Sequence, residues 1–216
     1  CIRDSFKAAS SPQGFISELE STRIKFSWQA PLTTGGSDIR SYLISSSSDG
    51  LTYRPLVSVS ANQLMAYVTN PVRGRSISYR IQAVTERFGN GEASKALEVV
   101  MPAIAPSDPR TLTSRVQLGS GIVLNWMAPS SDGGAPVTGY RVEVQTGTTW
   151  TSLGETRDLT FSAPLGSAGE SVVHRVLALN SAGASAGSIR VSTRMGVAPA
   201  SAVSYTHLTL PTNREV

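Results

Sequence analysis

The segment WQAPLTTGGSDIRSY at residues 28–42 recurs as WMAPSSDGGAPVTGY at residues 126–140, and this recurrence is the main evidence for the fold. Both copies fit the pattern W-x-A-P-x-x-x-G-G-x-x-[IV]-x-x-Y, and they begin 98 residues apart. A second matching pair follows, with YRIQAV starting at Tyr79 and HRVLAL starting at His174. Two motifs that recur in the same order indicate a tandem duplication of one structural unit.

Large hydrophobic residues recur at every second position just before each tryptophan. The alternating residues are Ile24, Phe26 and Trp28 in the first copy and Ile122, Leu124 and Trp126 in the second. A period of two is typical of strands, and clusters of Pro, Gly and Ser such as SSSSDG at residues 45–50 end these runs. About seven short strands in each copy, without a helical period, predict an all-β chain of two tandem seven-stranded immunoglobulin-like β-sandwiches.

Length and composition agree with two domains and exclude several classes of protein. The 216 residues suit two domains of about 100 residues each. With 40% hydrophobic and 16% charged residues, the chain is predicted to be folded, and no apolar run predicts membrane insertion. A net charge of +4 is too small to predict nucleic-acid binding. The only cysteine is Cys1, so no internal disulfide is expected.

The repeated residues resemble the fibronectin type III family, whose pattern has Trp on the second strand, Pro after it, Tyr on the third strand and a later Y-x-F-x-V-x-A-x-N run. The resemblance covers nearly all of residues 11–195. The matching residues are Trp28, Pro31, Tyr42, Ile81, Ala83, Gly89 and Gly91 in the first copy and Trp126, Pro129, Tyr140, Val176, Ala178, Asn180 and Gly183 in the second. The family's corner tyrosine falls on Ile77 and Val172, so one hydrogen bond worth about 0.5 to 1.5 kcal/mol is expected to be missing from each domain.

A small residue followed by proline marks the start of each repeat, at Ser11-Pro12, Ala105-Pro106 and Ala198-Pro199. The expected organisation is the end of a preceding segment at 1–10, a first fibronectin type III-like domain at 11–102, a second at 103–195, a linker to a missing third repeat at 196–202 and a tail at 203–216. The connector MPAIAPSDP at 101–109 holds three prolines and predicts restricted hinge motion. The chain is expected to be a monomeric fragment of a longer multidomain protein.

The segment VSYTHLTLPT at residues 203–212 interrupts the expected third repeat. It resembles the in-frame translation of a transposase adapter used in sequencing libraries, and all ten residues match. We expect residues 203–216 to be derived from adapter and exclude them from functional reasoning. The alternative is a strand of a genuine third repeat.

Candidates for catalysis are few outside that tail. His174 shares a strand face with Val172, Val176 and Ala178, which predicts a histidine packed in the core rather than a catalytic base. Nothing resembles clustered zinc ligands or a calcium loop, and the doubled glycines at 35–36 and 133–134 lack the lysine and helix of a phosphate loop. The sequence therefore predicts no enzyme, no catalytic residue, no cofactor and no metal site.

Two groups of residues are candidates for contact with a partner. Arg73, Arg75 and Arg80 form either a patch for an anionic polymer or ordinary solvated surface, and the second interpretation is favoured. The loop TERFGNG offers Glu86, Arg87, Phe88 and Asn90 as partner-binding side chains, whereas the corresponding NSAGASAG has mostly small ones. The alternative role for Phe88 is to cap its own sandwich. Integrin binding is not predicted, because the chain lacks Arg-Gly-Asp.

The resemblance implies a function that does not involve catalysis. It implies a non-catalytic extracellular spacer or adhesion module of a bacterial surface or secreted protein, which connects other domains and binds an unknown protein or polysaccharide. The alternative is an accessory region of a secreted carbohydrate-active or other hydrolytic enzyme whose catalytic domain lies elsewhere. Cys1 is read as the start of a cut fragment rather than a lipidated terminus.

Overall fold

The computed structural model describes residues 7–117, 121–185 and 190–196. These residues form strands and no helix, which confirms the all-β prediction. The strands of the first repeat are β1 (Gln13–Leu19), β2 (Arg23–Gln29), β3 (Ile39–Ser47), β4 (Arg54–Ser60), β5 (Met65–Thr69), β6 (Ser76–Thr85), β7 (Gly89–Asn90) and β8 (Leu97–Val100). Those of the second are β9 (Arg110–Gln117), β10 (Gly121–Met127), β11 (Gly139–Thr146), β12 (Thr149–Thr156), β13 (Thr160–Ala163), β14 (Ser171–Asn180), β15 (Gly183–Ala184) and β16 (Arg190–Arg194).

Each repeat has one three-stranded and one larger antiparallel sheet. In the first repeat the strand orders are β1-β2-β5 and β4-β3-β6, with both β7 and β8 paired to β6. The second repeat has β13-β10-β9 and β12-β11-β14, with both β15 and β16 paired to β14. Strands β7 and β8 both pair with β6, and β15 and β16 both pair with β14, so each of these two pairs counts as one interrupted strand. Counted in this way, each repeat has the seven strands that the sequence predicts.

The chain divides into two compact units. One comprises residues 1–107 with 131–138 and 179–185, and the other comprises 108–130, 139–178 and 186–216. The expected domain limits at residues 102 and 195 come from the repeat spacing and stay predictions. The tail at 203–216 and most of the expected linker at 196–202 lie outside the described residues. Within the described part of the chain, no helix has the length and apolar character needed to cross a membrane.

The two motif tryptophans occupy equivalent buried positions, as the repeat predicts. Trp28 is 4% exposed and Trp126 is 5% exposed. The ring centroid of Trp28 lies 5.4 Å from that of Tyr42 at an angle of 61°, and that of Trp126 lies 5.5 Å from Tyr140 at 64°. Since each Trp and its Tyr come from different sheets of one repeat, the pair joins the two layers.

The remaining core residues differ between the repeats. In the first, Phe26 stacks on Phe15 with ring centroids 5.2 Å apart and tilts against Tyr79 at 4.9 Å. The second buries Ile122, Leu124, Val142, His174, Val176 and Ala178. Alternation alone therefore placed the inward-facing residues correctly in both repeats.

The doubled glycines form tight turns. Gly35 and Gly133 adopt φ angles of +69° and +73°, a region that L side chains rarely adopt. A Cβ on Gly133 would lie 2.1 Å from the carbonyl oxygen of Ile104, and one on Gly35 would overlap the carbonyl oxygen of Lys7. Close packing of backbone on backbone is thus the reason for glycine at both positions.

Candidate functional site

The loop between β6 and β7 holds Glu86, Arg87 and Phe88, three of the four side chains that the sequence singles out, and Asn90 follows on β7. Glu86, Arg87 and Asn90 are exposed, and Phe88 is 38% exposed. The loop spans residues 86–88, since Thr85 pairs with Gly89 across the hairpin. A short loop places these side chains together at one end of the first sandwich.

The backbone of this loop is tied to its surroundings by hydrogen bonds. The amide of Glu86 donates to the carbonyl of Asp38 over 3.1 Å, and that of Arg87 donates to the Ser37 hydroxyl over 3.1 Å. The amide of Phe88 donates to Thr85 Oγ1 over 3.3 Å. Side chains at 86 and 87 therefore project from a fixed backbone and make none of these bonds themselves.

The corresponding loop of the second repeat is organised around Asn180, which is 8% exposed. Its Nδ2 donates to the carbonyls of Ile104 at 2.8 Å and Asp132 at 2.7 Å. Its Oδ1 accepts from the amides of Ala182 at 2.8 Å and Gly183 at 3.1 Å. Asn180 thus uses both ends of its amide to hold neighbouring backbone, a structural role that the sequence comparison missed.

His174 lies in the core, as its strand position predicts. The side chain is 1% exposed, and burial lowers the pKa of its imidazole below the ordinary value of 6.5. Its Nδ1 has no hydrogen-bond partner among the described residues. A neutral histidine buried this deeply has no access to a substrate. In the same described part of the chain, no group of three His, Cys, Asp or Glu residues could hold a metal ion.

The three arginines considered as an anionic patch have different environments. Arg73 donates to the carbonyl of Pro102 over 3.0 Å and to the carbonyl of Ser21. Arg80 lies over the ring of Tyr53, with its Cζ 4.1 Å from the ring centroid. Arg75 is exposed. Because Arg73 and Arg80 are engaged within the fold, the interpretation as ordinary surface is the better one.

A groove of about 520 Å³ opens beside β4 and β5 of the first repeat. Leu56, Val68, Ile77 and Tyr79 line its apolar part, and Asp49 lies at its polar part. Asp49 accepts hydrogen bonds from the Ser47 hydroxyl and from the amides of Leu51 and Thr52, which together hold the pKa of its carboxyl far below the usual range. This carboxylate builds a turn and is not a proton donor.

An aromatic and charged cluster covers the outer face of the larger sheet in the second repeat. The Cζ of Arg175 lies 4.3 Å and that of Arg190 lies 5.3 Å from the ring centroid of Trp150. Arg175 also pairs with Glu143, whose Oε2 is 2.6 Å from the arginine Nε. Sequence reasoning missed this cluster, since its members come from four strands whose register is not apparent from the sequence. The only signal was their outward position in alternating runs.

No family model matches the chain. Titin of Drosophila melanogaster is 29% identical over 160 residues, which are 70% of this chain and 1% of Titin. Fibronectin type-III domain-containing protein 3a of Gallus gallus is 32% identical over 131 residues, which are 59% of this chain and 11% of that protein. The chain therefore spans only a small part of the length of these curated relatives.

Among solved structures, the crystal structure of the FN1–FN3 domains of chicken CNTN1 matches with a TM-score of 0.55 and 18% identity. The match covers 87% of this chain and 67% of that one, and at this identity it shows the fold. The chain therefore has the fold of tandem fibronectin type III-like sandwiches. These relatives are animal proteins, so the bacterial host stays a prediction.

Proposed function

We propose that this chain is a non-catalytic extracellular module that connects or presents other domains of a longer protein and contacts a protein or polysaccharide partner. The observation that carries the proposal is the repeated sandwich design, in which Trp28 and Trp126 make the same contact at the same depth. A duplicated scaffold supports a role in which length and spacing matter. The burial of His174, the only histidine among the described residues, supports a role without catalysis.

A replacement experiment in the intact protein tests the spacer role. Residues 11–195 are deleted in one variant and replaced in another by two unrelated fibronectin type III-like sandwiches of the same length. A spacer is restored by the replacement and lost in the deletion. If the replacement fails as completely as the deletion, the surface of this chain matters more than its length.

The non-catalytic part of the proposal has its own test. The purified chain is incubated with panels of glycoside, ester and peptide substrates, and no turnover is expected. Any reproducible turnover would overturn the proposal, and the variant His174→Ala would show whether that histidine takes part.

For partner contact we propose the loop with Glu86, Arg87, Phe88 and Asn90. Its support is the combination of an arginine and an aromatic ring, which often dominate binding energies, with a backbone already held in place. Single alanine variants test this loop better than exchange with NSAGASAG, because Asn180 has a structural role in that segment.

Binding to purified surface polysaccharides and to neighbouring proteins of the host is compared for the parent chain, Arg87→Ala and Phe88→Ala. Arg157→Ala is the matched control, since Arg157 is an exposed arginine in a turn of the second repeat. A loss of about tenfold or more in the loop variants alone supports the contact. Equal affinity in all four proteins excludes it.

A further inference from the structure

The outer face of the larger sheet in the second repeat carries an unbalanced set of arginines. Alternation along β14 and β16 places Arg175, Arg190 and Arg194 on the face opposite to the buried His174. On the same face Arg141 pairs with Glu155, its Nη2 lying 2.9 Å from Oε1, and Arg175 pairs with Glu143. Among the described residues, Arg190 and Arg194 have no carboxylate partner.

The register brings two like charges directly together. Arg175 and Arg190 are cross-strand partners, and like charges directly opposite one another disfavour strand pairing. Glu143 neutralises only Arg175, and Trp150 contacts both guanidinium groups without adding a negative charge. A further carboxylate at Arg190 would therefore be attracted by an existing excess of positive charge.

The first repeat provides an internal reference for this excess. There Tyr53 and Arg80 form a similar aromatic and arginine pair, but Arg80 has Ser45 as its partner on β3. The adjoining strand β8 carries Glu98, which accepts a hydrogen bond from Ser76 over 2.7 Å. The corresponding β16 carries two arginines and no acidic residue. Arg80 therefore faces a serine and β8 carries a glutamate, whereas in the second repeat Arg175 faces a second arginine on β16.

From this arrangement we propose that the face formed by Trp150, Arg175, Arg190 and Arg194 binds an extended acidic segment of a partner protein. Arg190 and Arg194 lie four residues apart on one strand and hence about 13 Å apart. Two carboxylates four residues apart in an extended peptide have the same spacing. The Trp150 ring is already engaged by two guanidinium groups, so it is a poor platform for stacking a sugar, and this favours a peptide over a polysaccharide.

This proposal goes beyond the contact loop at residues 86–90, since it concerns a different repeat and a defined ligand chemistry. The probe is a synthetic nine-residue peptide rich in Thr and Val with glutamates at positions 3 and 7. Titration into the full chain is followed by NMR shifts of the Trp150 indole and of the β16 amides. A peptide with glutamine at both positions is the control ligand.

The expected result is saturable binding of the glutamate peptide only, weakened by salt. Arg190→Ala and Arg194→Ala should each lower affinity about threefold to fivefold, in keeping with exposed ion pairs. Arg157→Ala, which removes an exposed arginine elsewhere in the same repeat, and Arg87→Ala, which alters the loop of the first repeat, should leave the affinity unchanged.

A charge exchange guards against loss of folding as an explanation. The double variant Arg190→Glu with Arg194→Glu should reject the glutamate peptide and bind its lysine counterpart. The proposal is overturned if the glutamine peptide binds equally well, if the arginine variants bind normally, or if heparin binds this face and the peptide does not. If Arg87→Ala does not weaken binding of the proteins or polysaccharides tested for the contact loop, that outcome counts against the loop. It does not affect the conclusion about the glutamate peptide.

Discussion

The two repeats share the same arrangement of strands and differ in the side chains of their cores. Phe26 and Tyr79 of the first repeat form part of an aromatic cluster, whereas the second has Leu124 and His174 at these two positions. The Trp and Tyr that join the sheets keep almost the same geometry in both. Strand pairing and the contact between Trp and Tyr are therefore common to both sandwiches, whereas other core positions hold different side chains.

The outer faces show the same division between constant and variable parts. Each repeat places an arginine of the long central strand over an aromatic ring from the edge of the sheet, Arg80 over Tyr53 and Arg175 over Trp150. The second repeat adds Glu143 and Arg190 to its pair. The pair of an arginine and an aromatic ring is therefore common to both repeats, and the additional charged contacts are found in the second.

The largest expected loss of stability follows from replacing the buried Trp that both repeats share. Trp28→Ala and Trp126→Ala should each lower the free energy of unfolding of their own repeat by about 3 to 5 kcal/mol, which approaches the whole stability of a small domain. Hydrogen exchange of β6 and β14 in the full chain reports each repeat separately. Losses that differ by more than about 1 kcal/mol between the variants would break the equivalence of the two sites.

The next effect contrasts the two loops at the ends of β6 and β14. Asn180→Ala leaves the carbonyls of Ile104 and Asp132 and two amides without their partner, and should cost about 2 to 3 kcal/mol by urea unfolding. Thr85→Val in the first repeat removes two longer contacts of 3.3 Å and should cost about 1 kcal/mol. Equal losses would show that the second loop is no more dependent on one side chain than the first.

A smaller effect depends on pH. His174 has a lowered pKa in the folded state, so the unfolded chain binds the proton first as the pH falls below 6.5. The free energy of unfolding of the second repeat should then decrease by at most about 1.4 kcal/mol per pH unit, until the folded pKa is reached. Well above pH 6.5 the histidine is neutral in both states and contributes no slope.

Two variants sharpen that result. His174→Phe should remove the slope between pH 7 and 5.5, and Tyr79→His should introduce one in the first repeat, where the residue is 3% exposed. Hydrogen exchange of β6 and β14 at several pH values measures both. If the stability measured at β14 in His174→Phe still falls between pH 7 and 5.5, the pH dependence comes from carboxylates instead.

Much of the strand arrangement could be predicted from the sequence, because strands and turns depend on residues that are close along the chain. Alternation before Trp28 and Trp126 predicts which residues face inward, and the alternation from Val172 to Ala178 correctly predicts that His174 is buried. Clusters of Pro, Gly and Ser predicted where the strands end, but not which backbone the glycines of these segments pack against. The second copy of the motif strengthened the fold prediction, because the same spacing of residues is improbable by chance in both copies.

The outer faces could not be predicted in the same way. Which side chains meet there depends on register and on irregularities in pairing, such as the shifts between Ile44 and Ser45 and between Val142 and Glu143. The sequence grouped Arg80 with Arg73 because they are close along the chain, while the structure pairs it with Tyr53. Asn180 was a family match whose four hydrogen bonds become apparent only with the fold.

The smallest expected effect concerns the loop proposed for partner contact. The double variant Glu86→Ala with Arg87→Ala should change the free energy of unfolding by less than about 0.5 kcal/mol, since both side chains are exposed. The amides of these residues keep their bonds to Asp38 and Ser37 whatever the side chain is. Urea unfolding of the variant beside the parent chain measures the difference. A loss above 1 kcal/mol would mean that these side chains support the first sandwich, and reduced binding in the variant would then no longer locate a partner. An unchanged stability makes the same variant a clean probe, because any lost binding belongs to the loop.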